Sequence, residues 1–318
     1  MAITIRDIAA AAGVNASTVS RALRNDPRIT REIREKICLL AEELCYVPNR
    51  SARQLAGGRT ELVVVATGLL DNELSIQATD ALQKELDEYG YMAVLLPNSN
   101  NGRGFIRMLR MCEQHFCDAA VLYSPQNIPD DMPEIRLLLD KNFPFVCMDQ
   151  WLDNYPFPAI TNDAEKSIEA LGERMCNCGM NAALIWFPEK NSVASFRKRE
   201  AEKFMAENNI RSMTSLDELK IFLKTHPGTR LGVMADSPLL PELDAVIGNS
   251  AEMCIGGMFD SWKFNAPKCF DRIFLCQQDM SLTGKTAGEY IIRMLRGEKN
   301  MPRVTMIPPE EILTPYLK

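Results

Sequence analysis

Four hydrogen-bonding side chains fall within five residues at Ser17, Thr18, Ser20 and Arg21. Hydroxyls this small let a helix approach closely and bond base edges or phosphates, and Arg21 is the one side chain there long enough for a bidentate contact to guanine. No comparable set points to catalysis. There is no Walker loop and no G-x-S-x-G, and Thr67-Gly68-Leu69-Leu70-Asp71 stands where a glycine fingerprint would follow the first apolar run. The ten cysteines are scattered through apolar segments, as at Cys38, Cys112, Cys147, Cys254 and Cys276, which is the setting of reduced core thiols. Cys176 and Cys178 have the wrong spacing for a zinc knuckle, and the two histidines, His115 and His226, are distant in sequence. No metal, no cofactor and no enzymatic activity are expected.

The elements that must hold Ser17–Arg21 read clearly. Thr4 with Asp7 three residues on resembles a capping box, opening a helix from Ile5 to about Ala12 with Ile5, Ile8 and Ala9 inward. Gly13 supplies a turn that a side chain would strain, and Val14 plugs the core beneath it. Asn15 can cap a second helix, Ala16 to about Leu23, with Ala16, Val19, Ala22 and Leu23 at helical spacing. That leaves Ser17, Thr18, Ser20 and Arg21 pointing outward. After the break at Asn25-Asp26-Pro27, Thr30 caps a third helix whose stripe is Ile33, Ile37, Leu40, Ala41 and Leu44. Two short helices joined by a glycine turn and braced by a third make a helix-turn-helix, which lays its second helix in the DNA major groove. On helix pattern alone, a small helical domain with a solvated polar face fits equally well.

Charge separates the two cases. The chain of 318 residues carries a net charge of −6, yet residues 1–60 hold ten Lys/Arg against six Asp/Glu, leaving 26 against 36 in the remainder. A basic head on an acidic body is what a DNA-reading module joined to a different kind of domain looks like. The segment after the third helix adds to this. Pro48 excludes helix before it, and Asn49 can cap Arg50-Ser-Ala-Arg-Gln-Leu-Ala56, which Gly57-Gly58 close. A piece this short is barely helical alone in water. It makes sense as a hinge that orders on a partner, with Leu55 as a wedge between base steps and Arg50 and Arg53 near phosphates; a plain linker is the other reading.

The stretches AGVN-x-STVSRAL, R-x-x-I-x-x-x-A-x-x-L-x-Y-x-PN and NRSARQLAGG together resemble the head of the LacI/GalR family of transcriptional regulators, continuously over about sixty residues. The resemblance implies that Ala16, Ser17 and Arg21 fall at base-reading positions. It implies phosphate contacts for Thr4, Thr18, Ser20, Thr30 and Asn49, and a place in the minor groove for Ala52 and Leu55. It also implies a homodimer on a pseudo-palindromic double-stranded operator, and repression as the expected sense of control.

From Leu62 apolar runs alternate with amphipathic stretches. Strands are expected at 62–66, 92–96, 119–123, 145–148, 183–187, 231–235 and 253–257. Helices are expected at about 75–89, 103–115, 132–141, 164–178 and 194–208. Such alternation means parallel sheets covered on both faces, and the span is long enough for two sheets with a crevice outside their strand ends. The expected fold is thus an all-α helix-turn-helix over 1–48, a hinge helix and linker over 49–60, and a two-lobed α/β effector-binding and dimerisation domain over 61–318. The resemblance agrees, because the family's body has the fold of periplasmic sugar-binding proteins.

By the same resemblance Asp149, in Met148-Asp149-Gln150, is a sugar-hydroxyl acceptor, and Arg197, in Ser195-Phe196-Arg197, is the effector-binding arginine. Asp260, in Phe259-Asp260, falls in the crevice with Trp262 beside it, and Gln278 stands in the family's Gln-Pro, here Gln278-Asp279. Asn162-Asp163 replaces Asp-Asn, Ala235-Asp236 replaces Asn-Asp and so removes a ligand amide, and Leu74-Ser75 replaces an aromatic pair. The expected function is a DNA-binding regulator whose operator affinity responds to a small molecule, a carbohydrate by resemblance. The alternative, which the departures motivate, is a body that serves dimerisation or a protein corepressor without an effector. No apolar stretch approaches the roughly 18 residues of a membrane span, and Met1–Ala10 lacks the pattern of a secretory signal, so a cytoplasmic, membrane-free protein is expected.

Overall fold

A computed structural model describes residues 3–23, 25–46, 58–67, 73–97, 103–123, 133–149, 155–187, 192–236, 241–248, 250–259 and 269–314. Residues 1–60 and 61–318 form two separate units.

The first unit holds α1 (Ile5–Ala12), α2 (Ala16–Ala22) and α3 (Arg31–Glu43). Local chemistry sets each boundary. The Asp7 carboxylate accepts from the Thr4 backbone N–H at 2.8 Å and from its hydroxyl at 2.7 Å, tying down the entry of α1. Gly13 ends α1 at φ 71°, the left-handed region where glycine meets no steric penalty. The Asn15 side chain accepts from Thr18 N–H at 2.8 Å, and Lys36 Nζ donates to the Ala12 carbonyl at 3.1 Å, so α3 satisfies the open end of α1. Ile8, Ala9, Ala12, Val19, Ala22, Ile37 and Ala41 close a small core. Ile33 is not part of it: at 38% exposure it lies on the first turn of α3, which the shorter α1 and α2 do not cover.

The second unit contains two six-stranded sheets. The first has the order β11 (Val304–Ile307), β5 (Ala159–Asn162), β4 (Phe145–Met148), β3 (Ala119–Tyr123), β1 (Leu62–Thr67), β2 (Met92–Pro97), all parallel. The second has the order β12 (Pro309–Leu313), β10 (Arg272–Gln278), β9 (Met253–Phe259), β8 (Arg230–Asp236), β6 (Ala182–Trp186), β7 (Arg211–Met213). The expectation of parallel sheets holds but for β12, which pairs antiparallel with β10 at the edge.

Each sheet is covered by helices on both faces, which is why its central strands β1, β3, β4, β8 and β9 read as apolar runs. Helices α4 (Glu73–Asp87) and α11 (Met280–Leu295) cover one face of the first sheet; α5 (Arg103–Glu113) and α6 (Pro133–Asp140) cover the other. The second sheet lies between α9 (Leu216–Thr225) with α10 (Pro241–Ile247) and α7 (Ala164–Asn177) with α8 (Ser192–Glu207).

The chain passes between the sheets three times, at Asn162-Asp163, Gln278-Asp279 and Ile307-Pro308-Pro309. The first two crossings share one device. A buried amide ends the strand, Asn162 at 4% and Gln278 at 3% exposure, and the next aspartate caps the helix that follows. Asp163 accepts from Lys166 N–H at 3.1 Å, and Asp279 accepts from Leu282 N–H at 2.7 Å. The third crossing is tied to the first, since Asp163 N–H donates to the Ile307 carbonyl at 2.7 Å.

Candidate functional site

In the first unit, α2 presents two exposed side chains four residues apart, Ser17 and Arg21, on one face. Ala16, Thr18 and Ser20 are half-buried around them, while Val19 and Ala22 anchor the opposite face. Ser17 and Thr18 hydroxyls both donate to the Asn15 carboxamide oxygen, at 2.6 and 2.8 Å. Their donors are thus held within the protein and their oxygens remain as acceptors. Thr4 is similarly tied to Asp7, while exposed Thr30 caps α3 by accepting from Ile33 N–H at 3.5 Å. Asp26 is paired with Arg28 at 2.7 Å, and hydrogen bonds from Arg28 hold its carboxyl far below the usual range. That local pairing leaves the exposed Arg21 as the long donor on the α2 face. Asn49, Ala52 and Leu55 lie outside the described residues.

In the second unit, several of the expected residues converge at the carboxyl ends of strands. Asp149 follows β4 with φ 59°, a left-handed backbone that aspartate tolerates better than most residues. Its Oδ1 accepts from Asn162 Nδ2, at the end of β5, at 3.1 Å. Arg197, buried on α8, donates from Nη1 to Asp236 Oδ1 at the end of β8, at 2.8 Å. The guanidinium also lies 4.1 Å over the Phe259 ring at the end of β9, and Phe259 meets Phe187 edge-on at 5.9 Å. Gln278 is buried at the end of β10. Asp260 and Trp262 lie outside the described residues, as does Trp151. Trp186, at the end of β6, is partly buried against the core under α9 and α10.

Burial pushes the Asp149 carboxyl up to about 6; Arg197 and the Asn162 hydrogen bond pull it down, and Asp236 adds a like charge that raises it. The folded protein therefore binds this proton more tightly than an unfolded chain, whose carboxyl titrates near 3.8. Ionising Asp149 costs stability above pH 6, and the cost is relieved as pH falls from 6 towards 4. Asp149→Asn is thus expected to raise stability at pH 8 by up to about 3 kcal/mol and to bring no gain at pH 4. Urea midpoints at the two pH values check this, and an equal change at both contradicts the assigned burial of charge.

Asp236 is the residue that sequence reading passed over. The pair Ala235-Asp236 registered as a lost amide, whereas its carboxylate is the partner of Arg197, 39 positions away. Only the pairing of β6 with β8, which brings the end of β8 beneath α8, makes that contact visible. Asp163 and Asp279 show the converse: they flank the expected site residues but serve as helix caps. Among the described residues no group of three or more His, Cys, Asp or Glu side chains is placed to hold a metal ion.

The arrangement gathers two carboxylates, one guanidinium and the Asn162 amide beside the Phe259 and Phe187 rings, convergent polar groups of the kind that orient a small ligand. Comparison with known proteins bears on both units. Residues 4–49 match the family model for bacterial regulatory proteins, lacI family. Residues 62–281 match that for periplasmic binding proteins and the sugar binding domain of LacI family. The chain is similar to the transcriptional regulator KdgR of Bacillus subtilis, at 21% identity over 98% of this chain and 96% of the relative. It is also similar to DegA of the same organism, at 24% identity over 64% of this chain and 62% of the relative, so that match spans less than two thirds of DegA. Its fold is that of a lac repressor dimer solved with operator and the anti-inducer ONPF, with TM-score 0.72 and 20% identity over 99% of this chain and 98% of that one. It also resembles the Cra dual regulator from Pseudomonas putida solved with fructose 1-phosphate, with TM-score 0.61 and 16% identity over 80% of this chain and 98% of that one.

Proposed function

Given that the chain belongs to the lacI family of bacterial regulatory proteins, we propose that it is a sequence-specific transcriptional repressor, active as a dimer and controlled by a small polyhydroxylated effector. Residues 1–48 read the operator, 49–60 form the hinge, and 61–318 bind effector and dimerise. The observation that carries the reading is the coexistence in one chain of an exposed Ser17/Arg21 helix face and a strand-end site holding Asp149, Arg197 and Asp236.

Arg21 reads a base, aided by Ala16 and Ser17, and Thr4, Thr18, Ser20, Thr30 and Asn49 hold phosphates. Ala52 and Leu55 enter the minor groove. Asp149, Arg197, Asp260, Trp262 and Gln278 hold the effector. Effector in the crevice favours one setting of the two lobes across the three crossings, and that setting decides whether two hinge segments meet operator half-sites in register. The protein carries out no catalysis and works in the cytoplasm; among the described residues no helix is long and apolar enough to cross a membrane.

The head is tested by Arg21→Ala. The variant is expected to lose about 1–3 kcal/mol of operator affinity and to relax base preference at one position of each half-site. Competition binding against a library of single-base operator variants reads both quantities. A uniform loss at every position would instead make Arg21 a phosphate contact.

A further inference from the structure

Resting on the effector reading, we propose that the site selects an uncharged, hydroxyl-donating ligand and discriminates against its phosphorylated form. The geometry leaves the available oxygens of Asp149, Asp236 and Asn162 as acceptors. The Arg197 guanidinium is the cation that acts on Asp149, and it is already engaged by the Asp236 carboxylate at 2.8 Å while stacked over Phe259 at 4.1 Å. Asp236 itself keeps contact with solvent, with 19% of its side chain exposed against 7% for Arg197. Asp149 supplies a second carboxylate, from β4, and Arg197 is the cation that its charge and that of Asp236 share. With both carboxylates ionised, Asp149, Asp236 and Arg197 together carry one net negative charge.

Hydrogen-bond direction gives an independent argument. The Asn162 amide donates to Asp149 and faces the Met280 sulfur, while its own Oδ1, buried at the end of β5, meets no partner among the described residues. Asn162 cannot turn its oxygen towards Asp149 without placing two acceptors together. A ligand meeting these atoms must therefore bring donors. Sugar hydroxyls do so, whereas a phosphate dianion offers only acceptors and adds like charge to a site that is already negative. An arginine released from its carboxylate would reverse the preference, since a free guanidinium matches a phosphate in a bidentate fashion.

The test is calorimetry on the full-length protein with paired ligands: glucose and glucose 6-phosphate, fructose and fructose 1-phosphate, trehalose and trehalose 6-phosphate. Wherever a pair binds, the neutral member is expected to bind at least about tenfold more tightly. Asp236→Asn, which removes the Asp236 charge from Arg197, is expected to shrink or invert that ratio. A phosphate ester that binds as tightly as its parent, with that binding abolished by Arg197→Ala, overturns the charge assignment and leaves the effector reading standing. Binding by no member of a broad neutral and phosphorylated sugar panel, with operator binding intact, overturns the effector reading and this inference with it.

Discussion

Arg197→Ala is expected to lower stability by about 3 kcal/mol and to reduce effector affinity by more than about a hundredfold. Removing one partner of a buried ion pair typically costs about 3–5 kcal/mol, because the remaining charge is left without compensation. The lower end applies here, since Asp236 retains some contact with water. Two further losses accompany it. The guanidinium no longer lies on Phe259, and Asp149 loses the cation that opposes the effect of burial, so its carboxyl titrates still higher. At neutral pH part of the Asp149 population is then protonated and accepts ligand hydroxyls less well. Arg197→Lys keeps the charge but not the planar stacking surface, and is expected to recover part of the stability and little of the affinity. Urea denaturation and calorimetry of the three proteins decide the matter. An Arg197→Ala protein with wild-type stability would show that the pair with Asp236 holds nothing in place.

Gly284→Ala is expected to destabilise the second unit by about 3 kcal/mol, at the upper end of what overpacking a core costs. A Cβ built on Gly284 would sit 2.0 Å from the Ala78 carbonyl oxygen and 2.8 Å from its carbon. Those atoms belong to the backbone of α4, so no side-chain rotation relieves the clash and α11 must move away from α4. That movement opens the core formed by Ala78, Leu82, Ala287 and Ile291. Gly288→Ala is a milder neighbour on the same helix face. Its Cβ would meet the Glu85 Cβ and Cγ, both at 2.8 Å; rotation of the side chain moves only the Cγ, so the helices must still part slightly, by less than the close approach to the Ala78 carbonyl demands. The expected order of urea midpoints is wild type, then Gly288→Ala, then Gly284→Ala. Since α11 begins directly after the Gln278-Asp279 crossing, the larger shift is also expected to weaken effector binding. Equal midpoints for all three proteins would contradict the close crossing of the two helices.

The contrast between these sites shows what the sequence carried and what it did not. The first unit was legible almost residue by residue because its boundaries rest on contacts within one helical turn: Thr4 with Asp7, Asn15 with Thr18, Thr30 with Ile33. Ile33 itself misled, because a helical stripe records which face is apolar but not how far neighbouring helices extend over it. In the second unit the buried strands β1, β3, β4, β8 and β9 announced themselves as apolar runs. Strand β5 did not, being four residues long and ending in Thr161-Asn162. Nor did β11, whose partner β5 lies more than 140 positions earlier. Helix α11 carries small residues where it crosses α4, which weakens an ordinary apolar stripe.

The site divides in the same way. Asp149 and Arg197 were marked by family resemblance alone, and the structure gives them physical content through Asn162, Phe259 and Asp236. The role of Asp236 depends on sheet order, and no local pattern encodes that. The capping roles of Asp163 and Asp279 explain why each stands one residue beyond a buried amide: the amide ends the strand, and the next residue starts a helix.

On the proposed function, one chain couples a strand-end effector site to operator recognition. Thermodynamic linkage makes the coupling reciprocal, typically about 1–3 kcal/mol in each direction. The most direct measurement is the affinity of a neutral sugar effector for the free protein and for the protein saturated with operator, beside operator affinity with and without that effector. Both ratios are expected to depart from one by the same factor, and Arg197→Ala is expected to remove the effector's influence on DNA. An effector that binds in the crevice with identical affinity in both states, leaving operator affinity unchanged, would contradict it.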